Sequence, residues 1–410
     1  MDVSLRKYPY PYRAMLSICS DLDETPNKEI YFETARYLNT SEDTLLGKGV
    51  DLEVGNTIYF DMPDHNFSYT NADDDGRNKI QLLIESGHID CLHSFGDFVD
   101  SRSRIEVCWS EIQKGERKIE VWIDHAQAPT NLDHDIMQGS GSIKGAKAYH
   151  TDLTVQTGAL PFIWKGRVTS IVAQNTRRCY AGLFNKGDKI QSIKTILLEF
   201  IKGWLARFGS KKYAMHKDNK VLRRALLLDG TNVIEFMRCN PSWGGVSVFD
   251  SVRGIDQVLT KPVLDTLVKN KGCSVLYSHL GKVFSKEVPF QDKTRNAFEL
   301  LANYQRHKQI LTATTRRLLG YNRTIEELCF DVKMINGETH IYLETVYAGE
   351  DLNGLTWYVS EPEKTYLYVN GVKYENLIIN EKDYLGKMSI SIKWECLTFP
   401  NMDILDEREK

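Results

Sequence analysis

MLSICSDLD, residues 15–23, is an apolar run that stops abruptly at two carboxylates, Asp21 and Asp23. The same pattern recurs three times: IDCLH (89–93) ends at His93, IEVWIDH (119–125) at Asp124 and His125, and VLYSH (275–279) at His279. Each run has the length and the apolar, β-branched content of a buried strand. In barrels and open sheets of parallel strands, ligands bind beyond the carboxyl ends of the strands. Four such ends would aim Asp and His side chains at one point.

Working outward, strands alternate with helical patterns. Thr25 and Pro26 read as the cap and first position of a helix through YFETARYL. A strand NTIYFDM (56–62) and an acid-capped helix over 73–86 follow, the latter with Ile80, Leu83 and Ile84 on one face. Ile105, Cys108, Trp109 and Ile112 have helical spacing. The segment 126–189 is rich in Gly, Asn, Asp and Gln, with FIW and VTSIVA as its strands. Ile193, Ile196, Leu197, Phe200, Ile201 and Trp204 mark a strongly amphipathic helix. VIEFMR is a strand ending at Arg238, and Thr260 and Pro262 open the next helix. A helix RNAFELLANYQRH then leads into a last strand, QILTATT. From about Thr324 the rhythm becomes all-β, with hairpins turned at Asn336-Gly337 and Asn370-Gly371, where a type I′ turn needs positive φ at both central residues. This order predicts an α/β fold: an irregular (β/α) barrel over residues 1–323, then a small all-β, sandwich-like domain over 324–410.

The 410 residues are 42% hydrophobic and 26% charged, with a net charge of −3, the balance of an ordinary globular protein. No basic excess points to nucleic acid. No apolar run approaches the roughly 20 residues that span a bilayer. The polar, aromatic start MDVSLRKYPYPYR lacks an apolar signal core, and the eight cysteines form no CxxC pair. A cytoplasmic protein with reduced thiols is the expectation. Glycine-containing GLFNKGDK and PSWGGVS lack nucleotide-loop spacing, and no GxSxG elbow is present.

The chemistry follows from residue types. Asp21 and Asp23, two apart in an extended chain, face one side and suit a shared metal, or a metal ligand beside a base; otherwise Asp23 is an N-terminal helix charge. A helical turn through HSFGD would put His93 and Asp97 on one face, where they chelate a divalent ion; otherwise His93 is a satisfied strand-end histidine. Mixed carboxylate and imidazole donors suit zinc, manganese, nickel or iron. His125 and Asn131, in an aperiodic loop, and His150 and Asp152, in YHTDLT, offer hydrogen bonds to a sugar, and Trp164 offers an aromatic face. His279 closes a strongly apolar run.

These motifs, in this order over residues 15–321, resemble the polysaccharide deacetylase superfamily of distorted (β/α) barrels. SDLDE resembles its aspartate motif, residues 93–97 its HxxxH metal motif with Asp97 in place of the second histidine, and VLYSH its final histidine-bearing strand. The resemblance implies a metal-dependent deacetylase acting on a saccharide substrate, in a setting such as surface-polysaccharide biosynthesis. Asp21 would be general base, His279 general acid, and Asp23, His93 and Asp97 would hold a divalent ion, zinc first. Arg238 would orient the base or bind an anionic sugar. Leu22 separates aspartates that the family keeps adjacent, so the roles of Asp21 and Asp23 are exchangeable, and His125 is a replacement ligand. Two other readings share these residues. One is a glycoside hydrolase pairing Asp21 or Asp23 with Asp97, Asp124 or Asp152. The other is a carbohydrate-binding barrel without chemistry.

Overall fold

A computed structural model describes residues 3–22, 25–124, 127–132, 138–184, 188–241 and 251–402. The fold is mixed α/β, built on an eleven-stranded curled sheet. Its strands are β1 (Ala14–Ser20), β2 (Gly55–Tyr59), β3 (Ile89–Ser94), β4 (Val121–Ile123), β5 (Phe162–Trp164), β6 (Val168–Thr169), β7 (Leu222–Leu226), β8 (Asn232–Phe236), β9 (Arg238–Cys239), β10 (Cys273–Ser278) and β11 (Ile310–Thr312). The order is β7-β8-β5-β4-β3-β2-β1-β10-β9-β6, with β11 also on β1. Every pairing is parallel except the β7–β8 hairpin. The main helices are α1 (Lys28–Asn39), α2 (Asp74–Glu85), α3 (Arg102–Ile112), α4 (Lys189–Arg207), α5 (Lys261–Asn270), α6 (Asp292–Arg306) and α7 (Thr315–Glu327).

The central strands are buried on both faces, which is why they read as continuous apolar runs. One set of alternate residues, among them Leu16, Ile18, Ile58, Leu92 and Trp122, joins the core shared with the helices. The other set includes Met15, Cys19, Cys91, Val121, Ile123, Phe162, Trp164, Phe236, Val275 and Tyr277. It packs with Leu318, Leu319 and Tyr321 of α7 and with Ile341, Trp357, Leu367 and Ile390 from the C-terminal segment. That second set carries the site described below.

The C-terminal segment forms two four-stranded sheets. Cys329–Ile335 and Glu338–Glu344 pair around Asn336 and Gly337, which have φ of 53° and 85°. Asn370 and Gly371, at 50° and 79°, turn Thr365–Val369 into Val372–Lys373. Both Asn-Gly expectations therefore hold. The second sheet takes in Ser4–Leu5 from the chain start, paired with Thr356–Tyr358. The boundary expected at 323 falls inside α7, whose Arg316 bridges Glu120 at 2.5 Å and Asp351 at 2.7 Å. The last helix and the C-terminal sheets thus share one core with the curled sheet.

Two local expectations are corrected. Asn27, not Thr25, caps α1, accepting from the Ile30 amide at 2.9 Å; Thr25 instead donates to the Leu22 carbonyl. The chain does not turn helically between His93 and Asp97, because Ser94 has φ 150° and Gly96 φ 106°. Helix α4, amphipathic as its spacing predicts, turns its polar face to the protein.

The bend after β3 depends on Gly96. A Cβ there would lie 1.8 Å from the Asp61 carbonyl oxygen, a backbone atom that cannot swing aside. Gly96→Ala is expected to destabilise the fold by about 2 kcal/mol or more, measured by urea unfolding. An unchanged midpoint would show that this bend is not constrained.

Candidate active site at the carboxyl ends of the strands

Parallel register brings the site together. Cys19 pairs with Tyr277 and Ser20 with Ser278, so the next residue of each strand, Asp21 and His279, are neighbours. The Asp21 amide donates to the Ser278 carbonyl at 2.6 Å, extending this ladder past the strand ends. On the other side of β1, Ser20 pairs with Asn56, which sets Thr57 beside Asp21. The Thr57 hydroxyl donates to Asp21 Oδ1 at 3.1 Å.

Asp21 Oδ2 is the hub. His93 Nε2 lies 2.5 Å from it, and the Tyr277 hydroxyl donates to it at 2.6 Å. The same hydroxyl is 3.0 Å from His279 Nε2 and 3.1 Å from His93 Nε2. Asp21 and His93 are fully buried and His279 is 7% exposed. Because a phenol donates once, one consistent proton assignment has Tyr277 donating to Asp21 and accepting from His279 N–H, with His93 N–H also donating to Asp21. Tyr59 packs its ring against His93, with centroids 4.4 Å apart.

Arg238 lies alongside. Its guanidinium carbon is 3.4 Å from the centre of the Trp164 ring and 3.8 Å from that of Tyr277, so the cation is held between two aromatic faces. The side chain is 1% exposed, and its three nitrogens have no hydrogen-bond acceptor among the described residues. Stacking of this kind offsets part of the cost of burying the charge, by about 2 kcal/mol in a desolvated setting. The N–H edges remain unspent.

Asp23 and His125 lie outside the described residues. Asp97 is exposed, whereas His93, four residues earlier, is wholly buried, so the helical chelating pair is not formed. Asp124 is buried, and its Oδ1 accepts from the Trp122 indole and from the Leu132 amide at 2.8 Å, which ties down the loop after β4. Asn131 is buried in that loop, its carbonyl accepting from Gly141 N at 2.9 Å. His150 is buried too, with Nε2 2.8 Å from the Thr130 carbonyl, Nδ1 2.9 Å from the Thr154 hydroxyl, and its ring against Phe95 and Trp122. Both of its nitrogens are therefore committed to the protein. Asp152 sits at the surface in an ion pair with Arg102 at 2.6 Å, which holds its carboxyl below the usual range. Trp164 is buried under Arg238, not open as a sugar platform.

Tyr277, Tyr59 and Thr57 were missed by a reading that looked only at run ends. Period-two alternation was the available signal: Tyr277 precedes His279 by two residues, and Thr57 and Tyr59 share one face of β2. Among the described residues, no three His, Cys, Asp or Glu side chains are arranged to hold a metal ion. No helix in the described residues is long and apolar enough to cross a membrane. Neither the models of known protein families nor the curated proteins match this chain.

The buried histidines set an acid limit on stability. Burial holds the His150 imidazole at about 4, against a smaller opposing pull from its bond to Thr130, and burial with nearby Arg117 and Arg317 holds His88 at about 4. Both folded values lie below the ordinary 6.5, so the unfolded chain binds more protons between those limits. Their contribution is complete above the unfolded value and is lost as pH falls towards the folded one, on the order of 3 kcal/mol for each. His150→Gln should remove about one proton from the pH slope of unfolding in this window, measured by denaturant titration. An unaltered slope would mean that His150 is not held neutral.

Proposed function

We propose that this chain is a hydrolase that removes acyl groups, N-acetyl first among them, from a saccharide. The observation that carries the reading is the convergence of Asp21, His93, Tyr277 and His279 from separate strands on one hydrogen-bonded point. A distorted (β/α) barrel is the fold that goes with it. Only Met237 separates β8, which pairs with β5, from β9, which pairs with β10. Taken as one strand, they would link the two ends of the curled sheet through β1, β2, β3, β4, β5–β6, β8–β9 and β10, which supports that reading.

A divalent ion, zinc first and manganese, nickel or iron after it, belongs to this proposal. His93 would hold it, and Asp23 would have to supply another donor, since the described residues alone do not complete a set and Asp21 is kept as the base. Such an ion, when bound, acidifies a water and polarises the acyl carbonyl.

The chain's own residues then have distinct tasks. Asp21 takes a proton from the attacking water. His279 gives its Nε2 proton to the leaving amine as the C–N bond breaks. Tyr277 links the two, and return of the proton from Asp21 through the phenol to His279 resets the site. The unspent N–H edges of Arg238 stabilise negative charge on the acyl oxygen or on an anionic sugar. A glycosidase would need a second carboxylate about 5–10 Å from the first. Asp97 and Asp152 are surface groups and Asp124 is bound to its own loop, which favours acyl over glycosyl chemistry. A cytoplasmic step in surface-polysaccharide biosynthesis is the setting that fits this reading.

Incubation with N-acetylated oligosaccharides should release acetate without new reducing ends. Tyr277→Phe should lower kcat by about 100-fold with little change in KM. His93→Ala should lose the bound metal, read by elemental analysis of purified protein. Reducing ends without acetate, or full metal content in the His93 variant, would overturn the assignment.

A further inference from the structure

Helix α4 is inverted. Its buried residues are Ser192, Thr195, Glu199, Gly203 and Ala206, whereas Ile190, Ile193, Leu197, Phe200, Ile201, Trp204 and Phe208 are 48–73% exposed along it. At 100° per residue these exposed side chains form a single stripe about 100° wide, opposite Glu199. The orientation has a physical cause. Glu199 is 1% exposed and receives the Thr169 hydroxyl at 2.7 Å, the Ser170 amide at 3.2 Å and Lys202 at 2.7 Å. The polar face is thus the anchored one. Turning the helix over would carry that carboxylate out to solvent and leave the buried Thr169 hydroxyl and the Ser170 amide without their acceptor.

The stripe is edged with positive charge. Lys189 and Arg207 lie along one side and Lys194 along the other, and none of the three forms an ion pair among the described residues. Next to it, Arg177, Arg178, Lys217 and Lys220 share a groove with Phe200 and Trp204. Residues 177–220 hold eleven Lys and Arg against three Asp and Glu, in a chain whose net charge is −3. The excess is therefore local to this element. A second copy of the same surface would oppose like charges, which disfavours a symmetric dimer through it. An apolar stripe with Trp and Phe, bordered by Lys and Arg, has the chemistry of a helix lying in the plane of a bilayer interface.

We infer that α4 docks the protein on an anionic membrane surface, its apolar stripe entering the headgroup boundary and its basic edges meeting lipid phosphates. The inference is independent of the proposed hydrolase activity. The full chain is mixed with vesicles of phosphatidylcholine alone, or of phosphatidylcholine with phosphatidylglycerol, and sedimented. Binding is expected to the anionic vesicles, weakened by salt. The surface double variant F200S/W204S should bind about tenfold less while keeping its thermal midpoint. Light scattering is run on both proteins. Absence of binding to anionic vesicles, or equal binding by the double variant, overturns the inference. So does a wild-type dimer that the double substitution converts to monomer without any vesicle binding, which would assign the stripe to a second copy of the chain.

Discussion

A carboxylate buried beyond the end of a parallel strand is the constraint around which this structure is organised. Asp21 is shut off from bulk solvent, and an isolated ionised carboxylate in such a place is strongly disfavoured. Thr57, His93 and Tyr277 supply its hydrogen bonds from three neighbouring strands. Those contacts exist only if β2, β3 and β10 hold their register relative to β1. A slip of one residue would turn each inward group to the opposite face. Strand pairing and site geometry are therefore one requirement.

The same economy of polar groups explains the surroundings. Asp124 and His150 are buried polar residues of the kind that often mark active sites, yet their atoms are spent on the loops that follow β4. They shape the rim without taking part in the central cluster. Arg238 is the contrasting case, a buried cation stabilised through ring faces rather than acceptors. On the far side of this inner core, α7 and the C-terminal sheets pack against the same alternate residues of the strands.

Helix α4 shows how one buried charge can decide the orientation of a whole element. Periodicity alone predicts that an apolar stripe turns inward. Glu199 reverses this, because its bonds to Thr169, Ser170 and Lys202 are available only on the inner side. Burial with the opposing pull of His216 and Lys202 leaves its carboxyl at about 2, so it stays charged there. The apolar stripe is left outside as the consequence.

Much was decided by local composition. Apolar runs ending at Asp21, His93, Asp124 and His279 located the central strands, and the Asn-Gly pairs located two turns, because burial and positive φ restrict which residue types fit. Tertiary structure alone decided which polar groups meet. Tyr277 enters the cluster because it stands beside Cys19 in the ladder, a partner 258 residues away that no local pattern identifies. Asp97 leaves it because Ser94 and Gly96 bend the chain out of a helical path. Ser4–Leu5 joins a sheet whose other strands come from the last sixty residues, since edge pairing depends on where the termini come to rest in space and not on their separation along the chain.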